Sequence, residues 1–244
     1  MIEIKLEDEY KLDGYILLEG FPSAGLVGPM VNSYIVEKLK MKYIGHIESD
    51  LFPPIATIHG SAPLFPVRLY KDDKFKIIAI VAEFTIPPNI IYQLSYELLN
   101  FVRKYGISQV ISVGGIVADK PNDKVYAIAS SRELLEKAVS VGINPIDEGV
   151  IAGVSAILLS NAPQYNIPII DILVQVNPSI MDPKYAERII ANLEKLIKLE
   201  IDLSELERES KMIQAKTREI LKRAKESHET YNTAIDAAGP SAYV

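Results

Sequence analysis

Cysteine and tryptophan are both missing from the 244 residues. Without thiols there is no disulfide framework, no Cys-ligated zinc and no thiol nucleophile. Histidine is scarce: His46, His59 and His228 are the whole supply. None is spaced as H-x-x-x-H or H-E-x-x-H, the patterns that set two ligands on one helix face, so no metal site is expected. Acids outnumber bases 32 to 26, a net charge of -6, which argues against a broad basic surface for nucleic acid or anionic lipid. No apolar run approaches the roughly 20 residues of a membrane span. The opening residues, MIEIKLEDEY, have neither the basic nor the apolar stretch of a secretion signal. These absences lead to the expectation of a cytoplasmic protein with no nucleic-acid or membrane partner. Lack of Cys and Trp, beside abundant Ile, Lys and Glu, fits heat adaptation.

What is present is ordinary material for a large core: 48% hydrophobic and 24% charged residues. YILLEG (15–20) reads as a strand running into a loop with Gly20, Gly25 and Gly28. Val27, Met30, Val31, Tyr34 and Ile35 then recur at helical spacing. Residues 42–82 hold several strands, FPVRLY and KIIAIVAEF among them, with Asp72-Asp73 as a hairpin turn. Asn89 is placed to cap a helix whose buried side is Ile91, Leu94, Ser95, Leu98, Val102 and Tyr105, closed by Gly106. SQVISVGGI reads as a strand ending at its double glycine, and Ser130 with Glu133 reads as a capping box for a helix stopped by Gly142. A glycine-containing helix is expected over 151–160, and IPIIDILVQV as a strand apolar on both faces. Asp182 as N-cap and Pro183 at the first helical position open the next helix.

Apolar strands alternating with amphipathic helices predict a three-layer α/β/α sandwich with a largely parallel or mixed sheet, over residues 1–200. Residues 201–230 differ in kind. Ser204 and Glu207 form another capping box. Leu199, Leu203, Leu206, Ser210, Ile213, Thr217, Ile220 and Ala224 make a heptad seam with polar interruptions. Such a helix packs on its own body or pairs with a neighbouring copy. Beyond it, 231–244 read as a flexible tail with a Gly239-Pro240 break before Ser241, Ala242, Tyr243 and Val244.

No motif demands catalysis. The 20–28 loop is not G-x-G-x-x-G and lacks the Lys-Ser/Thr of a Walker A loop. Its simpler reading is a tight strand-to-helix turn that needs small residues. The other is a ligand pocket of Glu19, Gly20, Gly25, Gly28 and Glu83, in which two strand-end carboxylates converge to bind a cation or share a proton. On that second reading the chain is a nucleotide- or nucleoside-binding enzyme. GVSAI (153–157) lacks the second glycine of a hydrolase elbow.

The stretches EGFPSAGLVGPMVNSYIVEKL, VISVGGIVAD, EGVIAGVSAILL and NPSIMDPKYAERIIANLEKLI together resemble the archaeal branch of the proteasome assembly chaperone 2 family, across roughly residues 12–200. The resemblance implies a fold similar to nucleoside phosphorylases, homo-oligomers, and binding to the 20S proteasome core without ATP or another cofactor. It also gives the tail a reading. Proteasome activators and several assembly chaperones end in a hydrophobic residue, a tyrosine and any residue. Ala242, Tyr243 and Val244 match those three positions, with Ala242 a weak hydrophobe. A terminal carboxylate can pair with a lysine in a pocket between core α-subunits while the ring fills apolar surface.

Overall fold

The computed structural model describes residues 1–178 and 180–205, together with the isolated helical positions Ala215, Glu219, Lys222, Arg223 and Glu226. The strands are β1 (Ile2–Leu6), β2 (Ile16–Glu19), β3 (Lys42–Ser49), β4 (Thr57–His59), β5 (Ala62–Leu64), β6 (Val67–Asp72), β7 (Ile77–Ala82), β8 (Gln109–Val117), β9 (Val125–Ala129), β10 (Asn144–Pro145) and β11 (Ile169–Val176). The helices are α1 (Val27–Lys38), α2 (Ile91–Lys104), α3 (Arg132–Ser140), α4 (Val154–Tyr165) and α5 (Pro183–Ile197). Nine strands form one sheet in the order β1-β3-β6-β7-β2-β8-β11-β9-β10, and β4 pairs with β5 as a separate hairpin.

The sheet is mixed. Its centre, β7-β2-β8-β11, is parallel, as the continuous apolar runs of β7 and β11 require: strands covered on both faces need no polar alternation. The β1, β3, β6 and β7 pairings are antiparallel, as is β11 with β9. Each face carries its own core. One buries Leu17, Ile78, Val110 and Ile169 under α2 and α4. The other buries Leu18, Ile77, Ile111 and Ile172 under α1, α3 and α5. The three-layer α/β/α expectation therefore holds, with antiparallel flanks making the sheet mixed.

Local details depart from the sequence reading. Asn89 does not cap α2. It lies inside a 3-10 turn, Pro88–Ile90, closed by the Ile90 amide on the Pro87 carbonyl at 3.1 Å. The α3 cap sits one residue later than Ser130: Ser131 accepts from the Leu134 amide at 3.3 Å. Ser130 is still engaged with β11, its Oγ accepting from the Ile169 amide at 2.9 Å. Strand β8 runs through Gly114 and Gly115 to Val117 instead of stopping at them, because β11 pairs with it along its full length after Gln109. Helix α4 begins only after Gly153, whose φ of 92° no side-chain-bearing residue adopts easily, and runs to Tyr165. Asp182 does cap α5, accepting from the Lys184 amide at 3.0 Å, with Pro183 as first helical residue.

Past α5 the chain keeps packing on its own body. Leu199 and Ile201 are buried, and Leu203 packs against the α1/α5 core. Tyr34 donates its hydroxyl to the Asp202 carbonyl at 2.7 Å, and Lys38 pairs with Glu205 at 2.8 Å. The first two seam positions, Leu199 and Leu203, are thus intramolecular contacts. Leu206, Ser210, Ile213, Thr217, Ile220 and Ala224 lie outside the described residues, as do His228 and the tail with Ala242, Tyr243 and Val244.

Two glycines set how α1 meets β2. A Cβ on Gly20 would lie 2.8 Å from the Gly28 carbonyl oxygen, and one on Gly28 would lie 2.7 Å from the Gly20 backbone. Beside them Asn32 donates its amide to the Leu18 and Ile80 carbonyls at 3.2 and 2.8 Å, tying α1 to β2 and β7. Because the obstruction at Gly28 is backbone, no rotamer relieves it. Alanine would gain about 1 kcal/mol of helix propensity but force the helix off the strand, so Gly28→Ala should lower stability by about 2 kcal/mol net. Exposed Gly149, whose added Cβ would meet only Ile146 at 3.7 Å, should tolerate alanine within about 0.5 kcal/mol. Urea midpoints of the two variants check this, and equal midpoints would refute the close-approach role of Gly28.

Candidate functional site

After β2 the chain heads toward β3 on one side of the sheet, and after β8 it heads toward β9 on the other. Connections diverging from neighbouring parallel strands leave a crevice at the carboxyl ends, where ligands of open α/β sheets bind. Here that crevice is a cleft of about 490 Å³ lined by the 21–24 turn, the end of β8, residues 150–155 and the start of α2. Its walls are mostly apolar, with Phe21, Ile86, Ile91, Ile151 and Leu173 prominent.

The floor is different. On the α2/α4 side of the sheet, Leu17, Val110 and Ile169 form one cross-strand row, all buried and apolar. Two residues on, the same face carries Glu19, Ser112 and Asp171 in register, Glu19 opposite Ser112 and Ser112 opposite Asp171. They are only 4%, 1% and 2% exposed. Two residues further, Gly114 stands opposite Leu173, and the missing side chain leaves the space above the polar row open. So the row that should continue the hydrophobic core is polar on all three strands.

Electrostatics follow from that placement. Burial raises the Glu19 carboxyl above its usual range, against the opposing effects of the Phe21 amide, which donates to it at 2.9 Å, and of the nearby Ser112 hydroxyl. Asp171 is pushed up to about 7, by burial first and by the negative charge of Glu19 second, with the Ser155 hydroxyl working the other way. Ser112 is close enough to favour the charged form of Glu19, yet its Oγ meets no partner at hydrogen-bond geometry. No Lys, Arg or His is among the residues lining the cleft.

The sequence pairing of Glu19 with Glu83 is not what the fold builds. Glu83, just past β7, lies outside the cleft. Its Oε2 receives Arg68 Nη1 at 2.7 Å and its Oε1 is 2.9 Å from His59 Nε2. Arg68 in turn donates to Thr57 Oγ1, the Phe65 carbonyl and the Tyr70 hydroxyl. Burial pushes Glu83 upward, but the bond and charge of Arg68 outweigh it, and its carboxyl stays below the ordinary range. Nearby His46 stacks on Phe65, ring centroids 3.6 Å apart. This cluster braces the β4–β5 hairpin against β6 and β7. Gly20 and Gly28 serve backbone contact, and Gly25, at φ 68°, packs its bare Cα side on Val176. None of the three lines the cleft, whereas Glu19 does. Among the described residues no group of three or more His, Asp or Glu side chains is arranged to hold a metal. No helix among them is long and apolar enough to cross a membrane.

Asp171 is the residue that sequence reading missed, although a signal was there. A charged residue inside an otherwise apolar run, IPIIDILVQV, has no exposed face to occupy once the strand is central.

Residues 17–221 match the model of the PAC2 family. An uncharacterized protein of Methanocaldococcus jannaschii is 29% identical over 205 residues, 84% of each chain. Among solved structures, Pyrococcus furiosus PbaA, an archaeal homolog of proteasome-assembly chaperone, is similar with a TM-score of 0.82 and 26% identity, over 93% of this chain and 99% of that one. Pyrococcus furiosus PbaB, an archaeal proteasome activator, shares the fold at a TM-score of 0.75 and 23% identity, over 90% and 98% of the two chains.

The raised acid at the cleft floor has a measurable consequence. Between pH 4 and 7 Asp171 is neutral when folded and ionised when unfolded, so the unfolded chain binds fewer protons and stability falls as pH rises. The decline through that window should be on the order of 3 kcal/mol. Asp171→Asn should flatten it and leave the variant the more stable protein at pH 8. Urea unfolding at pH 5 and pH 8 reads this directly, and parallel pH profiles for both proteins would refute it.

Proposed function

The chain belongs to the PAC2 family, and from that premise we propose that it is an ATP-independent proteasome-binding protein, an assembly chaperone homologue or activator. The observation that carries this reading is the similarity to PbaA along almost the whole of both chains. The role needs no catalysis and no cofactor, only binding surfaces. In this reading the protein forms a homo-oligomer, 201–230 supply a helical appendage, and 231–244 carry the docking peptide.

Docking runs through Ala242, Tyr243 and Val244, inserted into grooves between α-subunits of the 20S core. A single tripeptide binds weakly. Several copies held by one oligomer raise the effective concentration and multiply affinity about 10²-fold or more. Eleven residues (231–241) between appendage and groove reach roughly 18 Å in root-mean-square terms, enough for each tail to search its own groove while the body stays put. The rival reading, a nucleotide enzyme built on the glycine loop with Glu19 and Glu83, has less behind it. Glu83 is held by Arg68 and His59, the glycines hold backbone against backbone, and the cleft has no cation for a phosphate.

Purified 20S core particles should retain the protein on a pull-down and show it on the α-ring by electron microscopy. Tyr243→Ala and a chain lacking Ala242–Val244 should each lose binding by about 100-fold while keeping their melting temperature and oligomeric state. Retention of both variants at the level of the parent would sink the docking mechanism.

A further inference from the structure

The polar row beneath the cleft is poorly compensated for its burial. A buried carboxylate is stabilised by a cation or by several donors, as Glu83 is by Arg68. Glu19 has one backbone amide, and Asp171 has no cation near it among the described residues. Between them Ser112, 1% exposed, holds a hydroxyl without a partner. It faces the same side as its two in-register neighbours, both of which line the cleft. Ser112 is the one of the three without a partner, while Glu19 and Asp171 line the cavity with only the Phe21 amide and the Ser155 hydroxyl to offset their burial. Where Leu17, Val110 and Ile169 show that apolar residues fit one row below, such a row makes a recognition surface and a poor core.

We propose that this cleft binds a small organic cation, an ammonium or amidinium group on an apolar body, with Glu19, Ser112 and Asp171 receiving its N–H donors. The chemistry selects the class. The floor offers acceptors and negative charge, so the ligand supplies donors and positive charge. A protonated primary amine carries three donors for three acceptors. An amidinium presents a planar pair matched to a carboxylate. The walls of Phe21, Ile86, Ile91, Ile151 and Leu173 call for an apolar remainder. Phosphates and nucleotides are selected against, since two acids and no Lys, Arg or His line the space. At about 490 Å³, the volume lies in the usual range for small-molecule sites. Gly114 is the gate on size: its bare Cα leaves the room above Ser112, and a Cβ there would touch Leu173 and Ser23 at 3.4 Å.

The proposal is independent of proteasome docking, so either can fail alone. Its test is isothermal titration and thermal unfolding of the full chain with benzamidine and with cyclohexylamine, against inorganic phosphate and AMP. Either cation should bind in the millimolar range or tighter and raise the melting temperature, and the anions should do neither. Binding should tighten from pH 6 to pH 8, because Glu19 and Asp171 are the titratable side chains lining the cleft and a bound cation favours their charged forms. Asp171→Asn and Glu19→Gln should each weaken binding at least tenfold. Gly114→Leu, which fills the cavity and keeps both acids, should abolish it. Absence of binding by both cations, equal binding to Asp171→Asn and parent, or preferential binding of phosphate or AMP would each overturn the proposal.

Discussion

The backbone contact between Gly20 and Gly28 is the constraint from which the rest of the architecture follows. It brings α1 onto the end of β2 closer than any side chain permits, and Asn32 then locks the helix to the carbonyls of β2 and β7. With α1 committed to one face, the turn that carries Phe21 to Ala24 is swung over the strand end. The opposite face at that level receives no helix of its own until α2 and α4 arrive from the sides. The crevice there, with Glu19 at its base, is therefore a by-product of tight packing elsewhere. Close approach on one face and open space on the other are one geometric fact.

Two buried acid clusters, one at the floor of that crevice and one outside it, obey opposite logics. Glu83 lies two residues past the register position where Arg68 pairs with Val81 across the β6–β7 ladder, and the guanidinium reaches it while also holding Thr57, Phe65 and Tyr70. Its charge is matched, its carboxyl stays low, and removing either partner would strand a charge in the core. Glu19 and Asp171 are buried as deeply, yet burial raises both with little in return, and the charge of Glu19 adds to the rise at Asp171. Proteins tolerate such local conflict where it is used. A structural role explains the first cluster completely, and leaves the second over.

The layers and most elements could be read from periodicity. Alternation of apolar strands with the helical faces of α1, α2 and α5 is a local signal, and Asp182-Pro183 and Gly106 marked helix ends by local chemistry. The failures were of a different sort. Asn89 and Ser130 are both sound cap residues by type. One was displaced by the 3-10 turn that Pro87 and Pro88 impose, the other by a long-range bond to Ile169. Strands β1 and β9 are short and lie toward the flanks of the sheet: IEIKL alternates but only over five residues, and VYAIA has no charged residue to mark a face. Glu19 was recognisable as a strand-end acid, but which acid it meets depends on strand order. Asp171 is 152 residues away in sequence and two strands away in space, whereas Glu83, on the neighbouring strand, points into another cluster. Spacing carries no information about that choice.

The same helix also holds the last continuous stretch of the described chain. Tyr34 and Lys38, in the second half of α1, hold Asp202 and Glu205, so residues 202–205 lie on the α1/α5 side of the sheet. The floor of the cleft faces the α2/α4 side, while Ala24 and Val113, which belong to the α1/α5 core, also line it. Between the two lies α1 with its glycine contact to β2. That contact is backbone against backbone and cannot be adjusted by a rotamer change.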